Sequence, residues 1–397
     1  MFALSQAEDA VERASALLEA GDIRGAARIL DAVVSSEGFS SLEPALRAHA
    51  LISYGVAAEA MEDPETAAAL FSRFFDAPES GASEPWVENA ALGLARASLK
   101  MKDAERARWA LEHLSAAARG RQPARELAAT VSFFEGRLGD AEAQLSACAR
   151  QWPLAQAEHL LGIILFDRGD RVGALARFEA ATRLDPSDYY SWIYKVRTLL
   201  ELNRAEDSLK LLDSMSPGFE TAETHFLKAR ALLRLERVAG SLEHFTKATE
   251  MNPKYGEALF GLGTALRQCG RLADAREVLR RFEVVHRSEA EGLRKLDRMA
   301  QVLFRDPRNS GLAEELAITS LEAGDLEAAE RYAWRAIRQE PSRKEARRVL
   351  ARFHARVGRY GAAAIHYQRL LKVVPSDAEA MEELSELVEK HSRRKKE

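Results

Sequence analysis

The sequence predicts an all-α protein assembled from repeated helical hairpins, and three observations lead there. Ala, Leu, Glu and Arg, all good helix formers, dominate the chain, and runs of β-branched residues are nearly absent. The 397 residues are 47% hydrophobic and 30% charged, with only 12 Pro and 23 Gly, which is too apolar for disorder and too poor in turn residues for an all-β protein. Finally, one pattern returns along the chain: "ALARFEAATRLDP" (Ala174–Pro186), "SLEHFTKATEMNP" (Ser241–Pro253) and "AAERYAWRAIRQEP" (Ala328–Pro341). A catalytic motif rarely recurs in this way, whereas a structural unit must.

The period is 34 residues, as in the offset from Pro341 to Pro375. Residues 155–188 carry Leu161, Gly162, Leu165, Gly169, Ala174, Phe178, Ala181 and Pro186, and related sets recur in 222–255, 256–286, 310–343 and 344–377. Each position has a mechanical reason. The small residue at the eighth place (Gly162, Gly263, Ala317, Ala351) lets two helices approach. Gly at the fifteenth place ends the first helix in a left-handed turn, and the Asp that follows in Gly169-Asp170 and Gly324-Asp325 caps the second. Phe178, Phe245 and Tyr367 fill the seam between units, and the terminal Pro stops the second helix.

These units resemble tetratricopeptide repeats. The joint pattern covers about half of the chain well, from roughly 155 to 286 and from 310 to 377, with a degenerate unit at 189–221 and weaker hairpins in the front part. The resemblance implies a right-handed α-solenoid of about ten helix pairs. Five segments are expected: degenerate hairpins over 1–153, a central array over 154–286, an extra helix or linker over 287–309, a repeat pair over 310–377, and a capping helix with a basic tail over 378–397.

Composition narrows the function. The net charge of −4 hides a front that carries −9 over residues 1–100 and a back that carries +5 over 271–397. No region is basic enough to expect nucleic acid. Cys148 and Cys269 stand 121 positions apart, match no metal or disulfide spacing, and read as small buried hydrophobes. The N-terminus lacks the basic and apolar regions of a signal peptide, and no stretch is long and apolar enough to span a bilayer, so a cytoplasmic protein is expected. The excess of Arg over Lys, 44 to 13, is an association with GC-rich bacterial genomes.

No catalytic constellation is present, and no enzyme, cofactor or metal is expected. "GLGTAL" (Gly261–Leu266) looks like part of a phosphate loop, but it falls within a first helix and no strand precedes it. His244 and His366 read as structural residues of second helices. Glu314-Glu315 and Glu382-Glu383 are adjacent in helices, so their carboxylates diverge by about 100°. The basic tail "HSRRKKE" (His391–Glu397) reads as a solvated end.

The resemblance implies that the first helix of each unit lines a concave groove. The groove positions then include Tyr190, Ile193, Arg197, Phe226, Arg230, Arg234, Phe260 and Arg267, a set of aromatic and arginine side chains of the kind that dominates interfaces. A second basic face is formed by Arg348, Arg352 and Arg356, one helical turn apart. The Lys and Asn clamp of the family's chaperone-tail binders is missing from these places. The expected function is a non-enzymatic adaptor or scaffold that binds an apolar, acidic peptide or protein. The alternative is a subunit of a larger, envelope-associated assembly that self-associates through its acidic front and basic back.

Overall fold

A computed structural model of the protein describes residues 2–76, 84–215 and 219–394, with side chains from residue 6 to 389 apart from 288–293. The end of the basic tail lies outside the described residues. In chain order the α-helices are α1 Phe2–Glu19, α2 Ile23–Val34, α3 Pro44–Ala60, α4 Pro64–Asp76, α5 Glu84–Lys100, α6 Ala104–Glu112, the single turn α7 Ala116–Arg119, α8 Gln122–Phe134 and α9 Leu138–Gln151. They continue with α10 Ala155–Asp167, α11 Arg171–Leu184, α12 Tyr189–Glu201, α13 Ala205–Ser214, α14 Ala222–Arg234, α15 Val238–Met251 and α16 Gly256–Gln268. The series ends with α17 Leu272–Arg305, α18 Ser310–Glu322, α19 Leu326–Gln339, α20 Lys344–Arg356, α21 Tyr360–Val373 and α22 Ala378–Arg394. Among the described residues there is no β-strand.

The chain forms two compact units. One comprises residues 1–152 and 360–397, and the other residues 153–359. Within each, successive helices pack as antiparallel hairpins (α3 on α4, α10 on α11, α14 on α15, α18 on α19), and first helices of neighbouring hairpins lie side by side (α3 on α5, α12 on α14, α14 on α16, α18 on α20). This is an α-solenoid. A single hairpin leaves one apolar face open, so its core is closed only by the next hairpin.

Local signals work as the spacing predicts. Gly169 and Gly324 adopt φ of +89° and +81°, a region that costs glycine little. The next residues cap: Asp170 accepts from the Gly173 N–H and Asp325 from the Ala328 N–H, both at 2.9 Å. The helices before Pro186, Pro253, Pro341 and Pro375 each stop two residues short of the proline. Gly162 sits against Phe178, where a methyl group would come within 2.5 Å of the ring.

Two expectations are corrected. The extra helix or linker expected over 287–309 is, as far as Arg305, the second half of α17, which runs unbroken for 34 residues. No proline interrupts residues 272–305, and Leu296, Met299 and Leu303 continue a buried stripe at helical spacing. Pro307, 34 residues before Pro341, marks the end of this second helix, so the unit is extended and the period resumes. Cys269 is exposed rather than buried, because it is the C-cap of α16 and stands at the hairpin tip.

In the first unit, Arg369 of α21 is held by residues about three hundred positions earlier. It donates to Asp63 at 2.6 Å, to Glu65 at 2.8 Å and to the Thr66 hydroxyl at 2.6 Å, at the start of α4. The three charged side chains are mostly shielded from solvent.

Candidate protein-binding groove

In the second unit α10, α12, α14 and α16 stand in a row. Positions four and seven apart share a helix face, which groups Tyr190, Tyr194 and Arg197 on α12, and Phe260 and Arg267 on α16. Asp188 sets the start of α12 by accepting from the N–H groups of Tyr190 and Ser191, both at 3.2 Å. A reciprocal capping box between Thr221 and Thr224 starts α14.

The structure sorts the expected groove residues into three groups. Ile193 and Phe226 are core residues, 3% and 5% exposed, within one cluster with Val196, Leu200, Leu227 and Phe245. This corrects the expectation that they face a ligand, since the hairpin α14–α15 needs both to close its seam. Three arginines are engaged by the wall itself. Arg197 pairs with Glu223 at 2.5 Å, Arg234 donates to the Leu200 carbonyl and to Asn203, and Arg230 lies 5.5 Å over the Phe226 ring. Phe260 is 54% exposed with its ring 5.3 Å from Phe282, and Arg267 is exposed with no carboxylate at ion-pair distance among the described residues.

Tyr190 is half-buried, and charges from far along the chain act on it. Burial pushes its hydroxyl pKa up. The charge of Glu330 on α19 adds to that, and Arg359 beyond α20 opposes it. Tyr194 is raised as well, by burial first, with Glu327 of α19 contributing and Arg197 opposing. The wall bearing Tyr190 therefore feels charges of α19 within the same unit. Around it are residues that the repeat pattern did not single out. Tyr189 shares a hydroxyl hydrogen bond with Thr221 at 2.9 Å and packs edge-on to Phe219, and Tyr255 lies 5.0 Å from the Phe226 ring. Tyr189 and Tyr255 border the starts of first helices 66 residues apart, which is the recurring signal that could have found them.

The second basic face is solvated only in part, with Arg348 buried, Arg352 half-buried and Arg356 exposed. Arg347 and Arg348 are buried, Arg347 donating to the Pro341 carbonyl at 2.8 Å and Arg348 to Glu345 at 3.1 Å. Arg356 reaches the Leu321 carbonyl at 3.3 Å, and its pKa is lowered by burial and by the charge of Arg352. Arg356 thus satisfies a backbone carbonyl at the end of α18, which the stacking of α20 on α18 makes possible, while Arg347 serves the loop just before its own helix. Among the described residues no group of three His, Cys, Asp or Glu is placed to hold a metal ion, and no helix is long and apolar enough to cross a membrane.

A tetratricopeptide repeat model matches residues 11–82, 159–217, 226–286 and 314–380, well over half of the chain. The protein belongs to the tetratricopeptide repeat family. A tetratricopeptide array of this kind is in general a protein-interaction scaffold. Three solved structures resemble this tetratricopeptide protein. One is a tetratricopeptide repeat protein from Parabacteroides merdae (14% identity, TM-score 0.45, covering 66% of this chain and 99% of that one). Another is MamA from Desulfovibrio magneticus RS-1 (20%, 0.39, 42% and 96%), and a third is YrrB (19%, 0.29, 51% and 94%), described as having an unusual peptide-binding site. No curated protein sequence matches the chain.

Proposed function

We propose that the protein is a non-enzymatic adaptor whose central array, residues 154–286, takes an extended or helical peptide that is apolar with acidic residues. The observation that carries this reading is α16. An aromatic ring and a guanidinium on one helix face, Phe260 and Arg267, are both open to solvent, on the helix row that the repeat turns towards a ligand. Arg230 extends the positive wall from α14, with its head braced on Phe226. Arg197 and Arg234 contribute less, because Glu223 and the Leu200 carbonyl already hold them.

A displayed library of random peptides panned on the full chain tests this. Enrichment of sequences that combine carboxylates with bulky apolar residues is expected, and Phe260→Ala with Arg230→Glu and Arg267→Glu should abolish it. The reading fails if the triple variant enriches the same sequences as the wild type.

A further inference from the structure

The second half of the molecule carries a feature that the groove does not use. α17 bears Arg276, Arg280, Arg287, Arg294, Arg298 and Arg305, separated by 4, 7, 7, 4 and 7 residues. At about 100° per residue these six fall within an arc of about 40°, and at about 1.5 Å per residue they run for about 44 Å. All six are exposed. The opposite side of the helix is the packed one, with Ala275, Leu296, Met299 and Leu303 buried where α16 and α18 meet it. Apolar side chains flank the stripe: Val284 is 67% exposed, Val302 52% and Phe304 84%.

The geometry narrows what could cover this face. A straight line of charges on a single helix matches a rod. The 4 and 7 spacing is the one at which carboxylates recur along one side of another helix. Val284, Val302 and Phe304 would be buried at the margins of such a seam. A phosphate backbone fits less well, since Glu277, Glu283 and Asp297 border the stripe and α17 as a whole carries only 8 basic against 6 acidic residues. A lipid surface fits poorly too. The exposed apolar residues lie on opposite margins of the arginines, and the side that could have entered a bilayer is already packed on α16 and α18.

We propose that the face of α17 turned away from α16 and α18 is a second protein-binding surface, which takes an acidic α-helix of a partner with its carboxylates in register with the arginine stripe. This surface is independent of the groove on α12, α14 and α16. The test uses the full chain and a labelled synthetic helical peptide with Glu at the matching 4 and 7 spacing and Leu at its margins, read by fluorescence anisotropy. The same peptide with its sequence scrambled, a DNA duplex and vesicles containing phosphatidylserine are compared. Binding of the in-register peptide should fall about thirtyfold in the variant Arg280→Glu, Arg287→Glu, Arg294→Glu and Arg298→Glu, at two- to threefold per exposed charge pair. The four Arg→Gln replacements give a milder loss and serve if the reversed chain loses its helical circular dichroism. The groove variant Arg230→Glu with Arg267→Glu should bind the in-register peptide as the wild type does. Equal binding of the scrambled peptide would overturn the proposal, as would tighter binding of DNA or vesicles, or a charge reversal without effect.

Discussion

Gly162→Ala adds one methyl group to α10, and the structure allows its cost to be worked out. The new Cβ would lie 2.5, 2.7 and 2.8 Å from three carbons of the Phe178 ring. Atoms at that distance must move, and the ring has little freedom to do so. Phe178 is fully buried, stacks on Tyr194 at 5.3 Å and lies 6.0 Å from His159. Overpacking of this kind costs about 1–3 kcal/mol, while alanine in mid-helix returns about 1 kcal/mol of helix propensity. The net effect should be a loss of about 1 kcal/mol, read as a lower urea midpoint at unchanged slope. Phe178→Leu shortens the ring away from the new methyl, so the double variant should show a coupling of about 1–2 kcal/mol that offsets part of the two separate losses. Gly139 is the control, with nothing within 4 Å of its added carbon, and there alanine should leave stability equal or higher. If Gly162→Ala raises the midpoint, propensity outweighs packing and the close-approach argument for the repeat is wrong. Strict additivity of the two changes would refute it equally. The outcome bears on the whole array, because Gly55 and Gly93 meet the Phe71 ring and Gly261 meets that of Phe245 in the same way.

Three further outcomes are expected. Glu236 holds φ +58° at the turn where Gly169 stands one double unit earlier, so Glu236→Gly should stabilise the chain by about 0.5 kcal/mol in urea unfolding, the relief of left-handed strain exceeding the entropy cost of glycine. His225 and His244 face each other through their Nδ1 atoms at 3.1 Å, and burial lowers both pKa values, with Lys228 adding to the effect on each and Glu220 and Glu243 opposing it. The unfolded chain then binds more protons, so stability should be full above about pH 6.5 and fall as the pH drops below it, and His244→Gln should flatten that dependence of the urea midpoint. Arg369→Met leaves Asp63 and Glu65 facing one another, which should lower the urea-unfolding stability by about 1–3 kcal/mol.

The hairpin is legible in the amino-acid order, since the spacing of Gly162, Gly169, Asp170, Phe178 and Pro186 encodes contacts within about thirty residues. Turns, caps and the seam of one unit are local, and each depends on a residue type that few others can replace. The length of α17 is not legible in the same way: a break is expected over 287–309, and the helix runs through to Arg305. Which side chains remain available depends on how the hairpins pack. Ile193 and Phe226 occupy the same repeat register as an exposed groove position, yet they are buried because the neighbouring unit packs on them. Arg197 and Arg234 look like free positive charge in the sequence, but a carboxylate or carbonyl brought close by folding already holds each of them. Glu330 and Arg359 reach Tyr190 from more than a hundred residues away. A periodic pattern fixes angles around a single helix, whereas exposure and charge pairing depend on how successive hairpins rotate against one another. That rotation is a sum of small packing choices, and no single residue announces it.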